Sequence, residues 1–374
     1  MLKQIKRLKM QKTANELILD KVMHRAVDIS RYESHIKGEV LKMLDGIEIN
    51  LRKDIAEFDP TSPTRSVYRQ ARLKALLKQT KETIRTGYRG INKHMGSNLK
   101  ELALSESVYS NGMLVSVLPQ EVAGSMVSTV AVTPELLKEL AVNTLIDGAP
   151  SADWWASDGA NMYDGFKRAM TEGVFRGEGL GTLIARLRDP KNKGGMGFDI
   201  SRKTAKTLVR TSVQTVTNRA REAQFSANSH LLLGVAWLST IDPSTTPECI
   251  VRNGLLYTAD THEPIGHSYP WLGGPGSIHW GCRSSSTAVL KSAKELGIDS
   301  QSQKVQYLLD GKLPVDRDFE KRLKTWSIAD QNKSLGITKA ELWRTGKVKS
   351  FRQLVDQSGR PKLLADLPKL DKVA

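Results

Sequence analysis

Apolar residues recur at three- and four-residue intervals through the first part of the chain. Leu17, Ile18 and Val22, then Leu41, Leu44, Ile47 and Leu51 follow this spacing, the period of a helix with one buried face. Phe58-Asp59-Pro60-Thr61-Ser62-Pro63 interrupts the run, and Leu73, Leu77, Ile84, Tyr88 and Ile91 resume it. Gly87 and Gly90 weaken the second half of that helix, each by roughly 1 kcal/mol against alanine. From Met113 to Val132 the residues turn small and apolar, which suits a linker or short hairpin. Thr133-Pro134 then opens a helix, with threonine placed to cap it and proline in its first turn. Further helices are predicted over 161–175 and 180–188, separated by Arg176-Gly177-Glu178-Gly179 and closed by Pro190, Gly194, Gly195 and Gly197. The longest central helix should run from Ser201, a plausible cap, to Ala227.

After Asn228 the helical period gives way to extended segments at Leu231–Thr240, Gly254–Thr258 and Arg283–Leu290. Five of the fourteen prolines fall in 243–275, so ordered loops should join these strands. Helices return near 301–309, 318–332 and 338–345 before a polar, basic tail. The pattern predicts an α+β protein: a helical N-terminal region, central helices with a small antiparallel sheet, and a helical C-terminal extension.

Composition narrows the class. The 374 residues are 39% hydrophobic and 26% charged, as in ordinary soluble globular proteins, and the length suits two or three domains. The densest apolar run, Leu231 to Leu238, falls well short of a membrane span. Lys3, Lys6, Arg7, Lys9 and Lys12 are followed by Glu16 and Asp20 rather than an apolar leader, so a cytoplasmic product is expected. Two cysteines, Cys249 and Cys282, are too few for a disulfide framework.

The net charge of +16 points to a polyanionic partner, and it is unevenly spread. Residues 1–130 carry +8, residues 131–290 carry +1 and residues 291–374 carry +7, while all seven tryptophans lie between Trp154 and Trp343. These shifts divide the chain into a basic helical region (1–130), a near-neutral centre (131–290) and a basic helical extension (291–374). From Arg65 to Lys100 ten basic residues face a single acid, Glu82. In a helix Lys74, Lys78, Lys81, Arg85, Arg89 and Lys93 form one continuous stripe beside the apolar one. The first five are candidate DNA contacts, and the same stripe also suits a solvated face that keeps a bundle soluble.

Cys249 and the pair within His279-Trp280-Gly281-Cys282 are the densest set of metal-ligand types. A two-residue gap lets His279 and Cys282 converge from a tight turn on one zinc ion, and Cys249 with His267, or His262, would complete four ligands. Free buried thiols, a disulfide formed after lysis and a site closed by hydrogen bonds remain alternatives. Asp242, Glu248, Glu263 and His267 lie in the same loops, so a metal-dependent nuclease is the rival reading, although no spacing fixes their geometry. Gly194-Gly195-Met196-Gly197 and Gly273–Gly276 lack the ending of a phosphate loop and read as turns. Arg210, Thr211, Asn218 and Arg219 share the central helix, and an arginine there could bond the loop that contains Asp242.

Arg210-Thr211, Asn218, Trp237, Asp242, Thr246-Pro247-Glu248-Cys249, Gly254 and His279-Trp280-Gly281-Cys282-Arg283 together resemble the phage Mu F-like minor head protein (head-morphogenesis) family, over about residues 150–290. The family pattern places cysteines where this chain has Thr246 and Ser284. The resemblance implies a minor virion protein of a tailed phage, without enzymatic activity, acting in head assembly and in DNA packaging or delivery. It would sit inside the capsid near the portal vertex, after assembly in the host cytoplasm. Implied partners are the portal protein, a scaffold or major capsid protein, and phage DNA bound without sequence preference, with no membrane and no cofactor beyond the zinc already considered.

Overall fold

The computed structural model describes residues 12–58, 66–119, 123–124, 126–128, 132–189, 195–298, 303–315 and 318–369. Two long helices lead the chain, α1 (Ala14–Glu57) and α2 (Ser66–Val117). Thr13 and Glu16 form a capping box that satisfies orphan backbone donors at the start of α1. The apolar stripe of α1, Ile29, Ile36, Val40, Leu44, Ile47 and Leu51, is buried against Ile84, Tyr88, Ile91 and Met95 of α2. Gly87 marks their closest approach, since a Cβ there would lie 2.4 Å from the Ile47 side chain. The glycine that weakens helix propensity is what lets the two helices meet.

α3 (Pro134–Asn143) is capped by Thr133 as expected, its hydroxyl accepting from the Leu136 amide. A hairpin of β1 (Leu145–Ile146) and β2 (Ala149–Pro150) follows, turning at Asp147-Gly148 with both residues at positive φ. Asp-Gly is a strong hairpin signal, and the helical reading of this region passes over it. α4 (Ser151–Phe175) starts ten residues before the expected 161, and α5 (Leu180–Ala185) lies within the expected 180–188. The central helix α6 (Phe198–Ala227) begins at Phe198 rather than Ser201, after Gly197 at φ +70°. Ser201 is a buried residue inside the helix, not its cap.

β3 (Leu232–Leu238), β4 (Leu256–Tyr257), β5 (Pro264–Ile265) and β6 (Ser285–Leu290) form an antiparallel sheet in the order β5-β4-β3-β6. Val235 pairs with Tyr257 on one side and with Ala288 on the other. Three strands match the expected segments, and β5 is an unforeseen edge strand, where a proline's missing donor is tolerated. α7 (Pro247–Arg252) lies between β3 and β4, and α8 (Gln303–Leu308), α9 (Phe319–Thr325), α10 (Ile328–Leu335) and α11 (Ile337–Arg344) follow the sheet. The helix expected over 318–332 is split, because the Ser327 hydroxyl caps a new helix by accepting from the Asp330 amide. Among the described residues no helix is long and apolar enough to cross a membrane.

Packing runs across both composition boundaries. Ala14, Ile18 and Val22 of α1 and Met113, Leu114 and Val117 of α2 share a core with Trp237, Tyr257 and Ala288 of the sheet. Met113 and its neighbours therefore continue a helix rather than open a linker. Asn15 extends this junction: it accepts from the Leu290 amide at 2.7 Å and donates to the Leu290 carbonyl at 3.3 Å, completing the end of β6. On the other side, Phe319, Leu323, Leu342, Phe351 and Leu354 pack on Ile250 and Val251 of α7. The boundaries near 130 and 290 thus mark changes in charge, while the core is shared across them.

One buried ion cluster joins these layers. Glu106 of α2, fully buried, accepts from Arg221 of α6 at 2.8 Å and from Arg25 of α1 at 2.8 Å. The Arg221 guanidinium also reaches Ser285 Oγ and the Ser286 carbonyl of β6. Breaking a buried pair by removing one partner strands a charge and costs about 3–5 kcal/mol. Glu106→Gln should lower stability by about that amount, read from the denaturant midpoint; a loss below about 1 kcal/mol would show that the cluster does not hold the layers.

Glu222, one residue along α6 from Arg221, is also buried, and its Oε1 has no hydrogen-bond partner among the described residues. Burial raises its carboxyl pKa from 4.5 to about 7, against the opposing pull of Arg219 and Arg221. Between about pH 4.5 and about pH 7 the folded state therefore holds a proton that the unfolded chain has released, and stability falls as pH rises through that window. Glu222→Gln should match the parent near pH 4 and exceed it by up to ~3 kcal/mol above pH 7. Denaturation at the two pH values checks this, and a pH-independent difference contradicts it.

Candidate functional site

The cysteines and His279 arrive from two short segments held against α6. Thr246 and Pro247 open α7, which carries Cys249 on its first turn. His279 to Cys282 is a tight turn closed by the Cys282 amide on the His279 carbonyl, with Gly281 at φ +72°. A side chain at Gly281 would strain that conformation. The Thr211 hydroxyl on α6 accepts from the Gly281 amide at 2.9 Å. The Asn218 amide donates to the Ser284 carbonyl at 3.2 Å, and the Thr215 hydroxyl to the Gly276 carbonyl at 3.1 Å. Gly276 lies so close to α6 that a Cβ would fall 2.7 Å from the Gln214 carbonyl oxygen.

This clamp brings Cys249, His279 and Cys282 together. The two Sγ atoms lie 3.7 Å apart as free thiols, and Cys249 Sγ lies 3.2 Å from His279 Nε2. The Thr246 hydroxyl is 2.9 Å from the same nitrogen. Nδ1 faces the Trp280 carbonyl at 3.0 Å, which puts the ring proton on Nδ1 and the lone pair on Nε2. Both thiols are buried and titrate as a pair. The hydrogen bond between them pushes Cys249 up, reinforced by burial, and holds Cys282 well down, with further help from His279. Burial pulls His279 down, but its hydrogen bond to Cys282 and that residue's charge outweigh it, leaving the imidazole raised.

The other expected site residues separate into two groups. His267 does not join the cluster: its Nε2 bonds the Leu256 carbonyl at 2.9 Å and its ring meets Tyr257 edge-on. The strands turn it toward β4, which removes it from the ligand set. His262 stacks on Trp271 instead. Among the described residues no carboxylate joins the three donors. Asp242 forms a two-pronged pair with Arg283 at 2.6 and 2.8 Å, which holds its carboxyl below the usual range. Arg210, one of the four α6 residues expected to reach the loop that contains Asp242, instead pairs with Glu33 of α1 at 2.9 Å, because α6 presents it to α1 rather than to the sheet. Trp237 is buried against Trp271, and Gly254, at φ +73°, donates its amide to the Trp237 carbonyl at 2.8 Å.

Lys74, Lys78, Lys81, Arg85 and Arg89 are all exposed on one face of α2. Arg85 and Arg89 each approach Glu82 at 3.7 Å, a solvent-screened contact that leaves most of their charge outward. α4 packs beside this face, and Lys81 lies over the Tyr163 ring at 5.5 Å. Between the two helices runs a groove of about 620 Å³, lined in part by Lys81, Arg85, Arg89, Tyr163, Asp164 and Lys167. Tyr163 and Lys167 are invisible in the sequence as partners of the stripe because only packing brings α4 to it.

Comparison with known proteins bears on the segment that holds this clamp. Searches of curated proteins and of solved structures return no match. Residues 164–287, roughly a third of the chain, match the family described as Phage Mu protein F like protein. They include all of α6, the four-stranded sheet through Thr287 and every residue of the Cys249–His279–Cys282 cluster. Residues 164–287 are therefore similar to the phage Mu F-like family, in the segment that holds the Arg-Thr helix and the His-x-x-Cys turn.

Proposed function

We propose that this protein is a minor head component of a tailed phage that docks on the portal through its near-neutral Mu F-like centre and meets packaged DNA through α2. The observation that carries the DNA half is the exposure of all five cations of the stripe on one helix face. From Lys74 to Arg89 that face is about 22 Å long. Duplex DNA carries one phosphate charge per ~1.7 Å of axis, so such a face can neutralise several phosphates through counterion release without reading bases. Tyr163 and Lys167 widen the same face on the α4 side. The family match supports the head-protein half, and portal contact, a role in packaging or ejection and a place inside the capsid follow from that reading. A nuclease has less support, since the cluster gathers no carboxylate among the described residues and Asp242 is committed to Arg283.

Replacing Lys74, Lys78, Lys81, Arg85 and Arg89 by glutamine should weaken DNA binding and flatten the slope of log K against log salt by about 0.9 for each phosphate that is no longer neutralised. An unchanged slope would remove α2 from the interface. The same variant should still co-purify with the phage's portal protein. Failure of the parent protein to do so would overturn the docking half without touching the DNA half.

A further inference from the structure

The spacing of the three donors can be compared with what a metal demands. Two thiolates bound at about 2.3 Å and meeting at the tetrahedral angle stand roughly 3.8 Å apart; a thiolate and an imidazole nitrogen at about 2.0 Å stand roughly 3.5 Å apart. Here the Sγ–Sγ separation is 3.7 Å and Sγ–Nε2 is 3.2 Å. All three donor atoms lie within 4.8 Å of one another. A disulfide would need the sulfurs at about 2.05 Å, so the two thiols are unbonded at a separation that matches the edge of a coordination polyhedron.

The surroundings are arranged for the same end. The Trp280 carbonyl fixes the Nδ1–H tautomer and turns the Nε2 lone pair toward the sulfurs, the outer-shell contact that metal-bound histidines usually make. Thr211 and Asn218 of α6 hold the turn on both sides of Cys282. The Ser239 hydroxyl fixes α7 by donating to the Cys249 carbonyl at 2.6 Å. Both segments that carry the donors are thereby held in place against α6 and the end of β3. The fourth corner faces the Thr246 hydroxyl, 2.9 Å from Nε2, and this is a position where the resembling family has cysteine.

We propose that Cys249 Sγ, Cys282 Sγ and His279 Nε2 form a three-ligand site for a zinc-type divalent cation, with water filling the fourth corner beside Thr246. Two thiolates and an imidazole favour zinc over hard, oxygen-seeking cations. Binding releases the remaining thiol protons to solvent, so affinity falls as pH is lowered. The ion joins α7 to the turn before β6 by coordination bonds, with three protein ligands. His267 has no part in it.

The test is titration of the reduced, full-length protein with Co²⁺, then displacement by Zn²⁺. One equivalent should produce a sulfur-to-cobalt charge-transfer band and the intense visible bands of tetrahedral cobalt, both bleached by zinc. Cys249→Ser, Cys282→Ser and His279→Ala should each lower affinity at least tenfold, and His267→Ala should leave it unchanged. Thr246→Cys supplies a third thiolate at the fourth corner; it should raise affinity at least tenfold and increase the charge-transfer intensity by about half. This gain guards against variants that merely unfold. Absence of the charge-transfer band in protein whose two thiols titrate as free would overturn the proposal, as would a band that survives Cys249→Ser and Cys282→Ser combined or is lost in His267→Ala.

Discussion

The Glu106 carboxylate is the constraint on which the architecture turns. It sits with no solvent exposure where α1, α2, α6 and β6 meet, and each of these layers supplies one of its contacts or a contact of its partner Arg221. A carboxylate buried there is tolerable only if both oxygens are answered. Arg25 answers one and Arg221 the other, and the rest of the Arg221 fork is then spent on β6. The N-terminal helices are thereby fixed in one register on the Mu F-like segment, and the apolar contacts of Ile18, Val22 and Leu114 with the sheet follow from that register.

The same logic redistributes the charge. Glu33 and Glu48 of α1, both buried, and the half-exposed Asp45 pair with Arg210, Arg188 and Arg202, respectively, from the centre of the chain. These three acids of the first segment are thus paired with arginines of the second, and Glu82 is the acid beside Arg85 and Arg89 on the outward face of α2. By composition the centre is neutral. In space, several of its arginines pair with the N-terminal acids, and the cationic stripe of α2 has Lys167 of α4 beside it.

α6 also organises the chemistry of the loops. Thr211, Thr215 and Asn218 lie on the face toward the sheet and bond the backbone of the segment that delivers His279 and Cys282. Small polar side chains suit this task because they satisfy loop amides and carbonyls at close range without filling the space the loop needs. Gly276 and Gly281 are the complementary half: one lets the loop touch the helix, the other makes the turn. The family match falls on this clamp and its sheet, whereas the ion pairs that seat the clamp on α1 and α2 reach outside it.

The sequence alone determined what depends on neighbours along the chain. The long amphipathic helices, the Thr133-Pro134 start, three of the strands, the α+β class and the His279–Cys282 pair rest on local period, capping and turn chemistry, and the structure contains them. The Asp147-Gly148 hairpin is legible by the same rules, although the helical period around it masks the signal, and Ser201 misleads because a serine can cap a helix or sit within one. Tertiary structure alone decided which distant residues share a site. It removed His267, paired Arg210 with Glu33 and Asp242 with Arg283, and set Thr246 beside His279. The physical reason is that a ligand set or a buried ion pair is fixed by where helices and strands cross, and those crossings are set by side-chain packing and buried charge summed over the whole core.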